Sequence, residues 1–183
     1  MRKPLFTVVL SLLIGVAGSA LAQAEPAEAH MVLEGQIHTN NLVGLVAEGI
    51  RMEVHLSGEF TEGLFAGATA EWTNHMVIRR DGVRLMDVRG YAETPDGTRL
   101  VWTMKGYLGE PSPPPLEVRI EAMLDPEFQY PDGDVMFHGA AWFETMAPEF
   151  AFVNHTVFSF TGAVNPRDGD TRVTFRPIVD PAP

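Results

Sequence analysis

Apolar residues recur at every second position in short runs along this chain, and Gly, Pro, Asp and Asn break the runs. Val, Phe, Thr and Met fill them, which is the pattern of half-buried strands. Segments 31–38, 50–57, 64–70, 74–80, 83–93, 98–107, 116–123, 135–143, 154–163 and 171–178 carry it. Asp-Gly stands between two runs at Arg80-Asp81-Gly82 and at Pro95-Asp96-Gly97. That pair favours a tight hairpin because both residues tolerate positive φ. Asp132-Gly133-Asp134 and Asp168-Gly169-Asp170 repeat the signal. No long stretch keeps the period of an amphipathic helix, and the best helical candidate is a short turn at 148–152. The expectation is an all-β chain, an antiparallel meander closed as a barrel or folded as a sandwich.

The first 24 residues stand outside this pattern. Arg2 and Lys3 precede an apolar run from Leu5 to Val16, and Ala20-Leu21-Ala22 or Ala22-Gln23-Ala24 offers small residues for cleavage. This layout predicts a secretory signal peptide over 1–24, a flexible leader over 25–29 and a single domain over 30–180. The segment has no arginine pair, and the chain has no cysteine for lipidation. A bacterial protein free in the periplasm or secreted is therefore expected. Cleavage after Ala24 leaves 159 residues with 11 basic and 24 acidic side chains, a net −13. That length suffices for one core. The acidity argues against nucleic acid and anionic membrane as partners. After the signal segment no run reaches the roughly 20 apolar residues needed to cross a bilayer. The lack of cysteine removes disulfides, thiolate catalysis, Fe–S clusters and thiolate-bound zinc.

From Gly58 onward the order of motifs resembles the domain-of-unknown-function family DUF-3237. The residues that carry the resemblance are Gly58-Glu59-Phe60, Gly67, VIRRDGVRLMDVRGYAETPDG at 77–97 and WFETMAPEFAFVNHTVFSFTG at 142–162. It implies a single closed antiparallel β-barrel of about eight to ten strands, similar to calycins and allene oxide cyclase, with room for a pocket inside. It implies no activity. Asn74 and His75 stand where members of the family often have Asp-Trp, and Phe152-Val153-Asn154 stands for their Trp-Leu-Asn.

Candidate chemistry lies on two strands. In 85–93, Asp87, Arg89, Tyr91 and Glu93 share one face, opposite Met86, Val88, Gly90 and Ala92. The polar row is either a solvent-facing stripe or a wet barrel interior. In the second case Arg89 anchors an anion or carbonyl and Tyr91 transfers a proton. In 135–144, Met136, His138, Ala140, Trp142 and Glu144 share a face, so His138 and Glu144 become candidate general acids or bases. Apolar residues on both faces there point to a covered outer wall, and hence to a homo-oligomer. Trp102 and Trp142, with several Phe, are candidate pocket walls for an apolar or aromatic ligand. Asn154 is read first as a turn residue bonding backbone groups and second as an oxyanion or substrate anchor. His155 would point away from Asn154, so at most one of them faces the interior.

The six histidines show no His-x-His and no His-Glu-x-x-His spacing, so no metal is assigned. There is no Gly-x-Ser-x-Gly and no phosphate-binding glycine loop, and no cofactor is expected. Three functions remain open: a cofactor-independent isomerase, cyclase or lyase acting on a small hydrophobic or phenolic molecule; a carrier or sensor of an apolar ligand; and a filled structural barrel that oligomerises. The first assigns catalysis to Tyr91, His138 and Glu144, with Arg89, Trp102, Trp142 and Asn154 holding the ligand. An open interior without acid–base groups favours the second, and a filled interior the third.

Overall fold

Each apolar run pairs with the next one along the chain. The computed structural model describes residues 29–109, 113–123, 125, 127, 129–130 and 132–178. The expected signal peptide and all but the last residue of the leader lie outside them. The strands are β1 (Met31–Val46), β2 (Gly49–Gly63), β3 (Thr69–Arg79), β4 (Arg84–Glu93), β5 (Arg99–Leu108), β6 (Val135–Thr145), β7 (Val157–Val164) and β8 (Asp170–Pro177). All neighbours are antiparallel, and β8 closes on β1 from Met31↔Phe175 to Gln36↔Asp170. The chain is therefore a closed, eight-stranded antiparallel β-barrel.

The sequence pattern misleads in three places. Segments 64–70 and 74–80 are not two strands. Residues 64–68 form the turn into β3, and Phe65 drops from that turn into the core. Segment 116–123 is not a strand but a helix, α1 (Leu116–Met123). Leu116, Val118 and Ile120 alternate as in a strand, but Leu, Glu, Arg, Ala and Met are strong helix formers, and a proline run is compatible with a helix start. Leu116 and Ile120, one turn apart, pack on Ile50, Met52, Met76 and Ile78. Asp132-Gly133-Asp134 belongs to the long link from α1 to β6 and makes no hairpin.

The other Asp-Gly signals do form turns between paired strands, with Gly82, Gly97 and Gly169 at φ of +81, +87 and +85°. The side chain of Asp81 accepts from the Val83 N–H, and that of Asp96 from the Thr98 N–H. Bonds from the Thr94 hydroxyl and the Thr98 backbone hold the Asp96 carboxyl below the usual carboxylate range.

The two halves of the interior differ. At the end formed by turns 64–68 and 94–98 and the β6–β7 connector, Phe60, Phe65, Phe143, Phe158 and Phe175 fill the barrel with Trp102. Phe143 meets Phe158 and Phe175 edge-on, with ring centroids 5.2 Å apart in each pair. Phe65 also meets Phe150 of the connector at 4.9 Å, which stops that end. Glycines face rings where the wall must be thin. A β-carbon at Gly90 would overlap the six-membered ring of Trp102 directly across the ladder, and one at Gly162 would overlap Phe137. At the opposite end α1 lies over the mouth, tied by the Leu116 N–H to the Arg80 carbonyl at 3.1 Å.

Candidate functional site: a methionine-lined cavity under the lid helix

Beneath α1 the barrel is open. A cavity of about 400 Å³ runs into this half of the interior, within the usual size of a small-molecule pocket. Consecutive strands supply its wall because inward positions alternate along each of them. Met52 and Val54 come from β2, Trp72 and Met76 from β3, Met86 and Val88 from β4, Met104 from β5, Phe137 from β6 and Val173 from β8. Four methionines give the wall an unbranched, polarizable surface that adapts to its contents. Ile37 and Asn40 of β1 line it from one side, and Pro114, Val118, Arg119 and Tyr130 of the lid segment from the other. A bond from Arg167 to Asp132 at 3.5 Å links the lid segment to the β7–β8 turn.

Two buried polar residues line the cavity, Asn74 and Thr171. The Thr171 hydroxyl donates to the Ala163 carbonyl at 3.1 Å. Asn74 Oδ1 accepts from the Asp87 N–H at 3.3 Å. The β3–β4 ladder lapses there, between Asn74↔Val88 and Val77↔Leu85, so the amide stands in for a backbone partner. No carboxylate and no histidine is among the described residues that line the cavity. The polar groups of that lining are the amides of Asn40 and Asn74, the guanidinium groups of Arg84 and Arg119, and the hydroxyls of Thr171 and Tyr130.

The candidate catalytic set is not in the interior. Tyr91, His138 and Glu144 lie on the outer face, and so do Arg89 and Trp142. The polar stripe over a packed apolar one is the arrangement present, and the wet-interior reading is corrected. The phase of alternation decides it: Met86, Val88 and Ala92 are buried, as are Phe137, Ala141 and Phe143, so their neighbours must face out. Register puts Tyr91 beside Val101 and Val101 beside Glu144, while Arg89, Thr103 and Trp142 form the next row. His138 stands farther along, with its ring 6.1 Å from that of Tyr107.

Tyr91 and Arg89 instead edge an outer cleft with Glu71, His38, Ser57, His55 and Thr73. The Tyr91 hydroxyl donates to Glu71 at 2.6 Å, and that bond raises its pKa, so the phenol keeps its proton. His38 bonds Ser57 at 2.5 Å, and His55 bonds Thr73 at 3.0 Å. Among the described residues no group of three or more His, Asp and Glu side chains is placed to hold a metal ion.

Trp102 is interior, 2% exposed, but it packs among Phe60, Trp72 and Phe143 and does not line the cavity. Asn154 is exposed on a 3₁₀ helix over Pro148–His155. This is the helical connector expected at 148–152, made longer, and it pushes the start of β7 to Val157. Asn154 Oδ1 accepts from the Thr145 N–H at 2.8 Å, and Asn154 Nδ2 donates to the Thr145 carbonyl at 2.9 Å. It thus takes the turn role, closing the end of β6 as a backbone partner would. His155 does not compete for the interior, since it too is exposed. Replacing Asn154 by alanine removes both bonds, and about 1–3 kcal/mol of stability should go with them. Urea denaturation measures this, and a change below about 0.5 kcal/mol would mean that water replaces the amide without cost.

Sequence reasoning missed Asn74, Arg119 and Tyr130 as wall residues. Asn74 carried a readable signal, as a polar residue at an inward phase of β3 between Trp72 and Met76. Arg119 was hidden by the strand-like alternation of 116–123.

Among solved structures, the chain is similar to three bacterial proteins. A protein of unknown function from Clostridium acetobutylicum aligns with a TM-score of 0.61 at 19% identity, over 83% of this chain and 95% of that one. A conserved protein of unknown function from Rhodopseudomonas palustris aligns at 0.59 and 18%, over 82% and 93%. A β-barrel-like protein from Acinetobacter baumannii aligns at 0.53 and 17%, over 80% and 91%. Identities this low speak to the shared barrel alone. No family model matches the chain, and no curated protein matches it.

Proposed function

We propose that the protein is an exported bacterial carrier or sensor that holds one small, largely apolar molecule in the open half of its barrel without converting it. One observation carries this reading: a cavity of about 400 Å³ walled by four methionines, with no carboxylate or histidine among its described lining. An acid–base enzyme needs a titrating group within reach of its substrate, and Tyr91, His138 and Glu144 lie on the outer face of the barrel. The layout of residues 1–24 supports export, and the motif order from Gly58 onward supports kinship with DUF-3237. Val101, Tyr107, Met136 and Trp142, exposed on the outer faces of β5 and β6, support a homo-oligomer that covers them.

Native mass spectrometry of the protein purified from its own host tests the reading, with titration by the uncharged fluorophore phenylnaphthylamine beside it. A retained small molecule, or saturable uptake of one dye per chain, is expected. Met104→Trp, which fills the cavity from β5, should abolish uptake. Absence of both retention and uptake sinks the proposal, and chemical turnover of a retained molecule would restore the enzyme.

A further inference from the structure

Acidic residues outnumber basic ones by 24 to 13 in this chain, yet the charged side chains on the described cavity wall are two arginines, Arg84 and Arg119. Charge of one sign in a low-dielectric recess focuses the local field. Arg84 comes from β4, and its Nε donates to the Leu108 carbonyl at 3.1 Å. Arg119 comes from α1, is half-buried, and has a buried Nε with no hydrogen-bond partner. No acidic partner of Arg119 exists among the described residues. Its nearest carboxylates in sequence, Glu117 and Glu121, are two positions away on the helix and exposed, whereas helical ion pairs need a spacing of three or four. A guanidinium partly withdrawn from water without a partner is costly. Its planar fork suits a carboxylate or another oxyanion, which it can hold by two parallel bonds.

We infer that the molecule held in the barrel is an amphiphilic organic anion, an apolar body carrying one carboxylate, whose charged end is held at the mouth by Arg119 of the lid helix. The inference rests on the ligand-binding reading of the cavity and names the class of ligand. The apolar body lies among Met52, Met76, Met86 and Met104, and the charged end meets the lid. The ligand therefore contacts both the barrel wall and α1, and its binding ties one to the other.

The test uses two dyes with the same aromatic body, anilinonaphthalene sulfonate and uncharged phenylnaphthylamine, titrated into the protein spanning residues 25–183. The sulfonate stands in for the carboxylate. The expected result is that the anionic dye binds about tenfold or more tightly than the neutral one, and that added salt narrows the gap. Arg119→Met should remove the preference, so that the two dyes bind the variant alike, and Arg119→Lys should keep part of it. Met104→Trp should abolish both signals. Equal affinities in the unmodified protein, or equal losses of both dyes in Arg119→Met, overturn the anion inference and leave the cavity reading standing. An anionic signal that survives Met104→Trp also overturns it, because that dye then sits elsewhere. Failure of both dyes to bind removes the cavity reading and this inference together. The comparison in the unmodified protein needs no variant to fold.

Discussion

Truncating Phe143 to alanine should cost about 3–5 kcal/mol, a large share of the roughly 5–15 kcal/mol that holds a domain of this kind together. Phe143 is 1% exposed and sits in the middle of the filled end. Its ring meets Phe65, Trp102, Phe158 and Phe175, which belong to the β2–β3 turn, β5, β7 and β8. Its loss therefore leaves a void bounded by rings from around the barrel, none of which can move in without uncovering another. The space will not collapse, and the cost belongs at the upper part of the range for such changes. Urea denaturation should show a lower midpoint with an unchanged slope, the sign of lost stability rather than of an altered unfolded state. A loss below about 1.5 kcal/mol would mean that the rings do not interlock as described.

Gly90→Ala should also destabilise the barrel, by about 1–3 kcal/mol or more, although a general rule points the other way. Glycine inside a strand usually weakens it, and alanine restricts the unfolded chain, so the exchange alone would favour folding by several tenths of a kcal/mol. Packing reverses the sign. The new β-carbon would overlap the ring of Trp102, which is buried, paired across the ladder and backed by Phe60 and Phe143. The ring has no free end to swing aside. Trp102→Phe supplies the control, because a smaller ring makes room for the methyl. The double variant should be clearly less destabilised than the sum of the two single changes, which a double-mutant cycle reads directly. Additive costs, or a gain from Gly90→Ala alone, would place Trp102 elsewhere.

Much of this architecture was legible in residues taken a few at a time. Period-two alternation located the strands, and three Asp-Gly pairs located turns, because both signals are local. The two faces of β4 and β6 were separated correctly by alternation, but which face pointed inward stayed open. The phase follows from the whole barrel: Gly90 and Gly139 look too small for a core until Trp102 and Phe160 are found opposite them. For that reason the interior chemistry assigned to Tyr91, His138 and Glu144 belongs outside. The lid escaped notice for a related reason. Leu116, Val118 and Ile120 alternate, and only contact with Ile50 and Ile78 makes the helix the better way to bury Leu116 and Ile120 together. Asn154 was readable as a turn residue because its partners lie just across a short connector. Arg119 was not readable as a wall residue, since its surroundings come from strands far away in sequence.

The unequal halves of the interior bear on how a molecule could enter. In an eight-stranded barrel each strand runs from one half towards the other, so no hinge divides them and no domain swings open. A molecule held in the open half would instead enter at the rim, where α1 is tied by the Leu116 N–H to the Arg80 carbonyl and packed through Leu116 and Ile120. The filled end works like the clamped end of a set of reeds. It fixes the spacing of the strands, and the space between their far ends is left for a guest rather than for side chains.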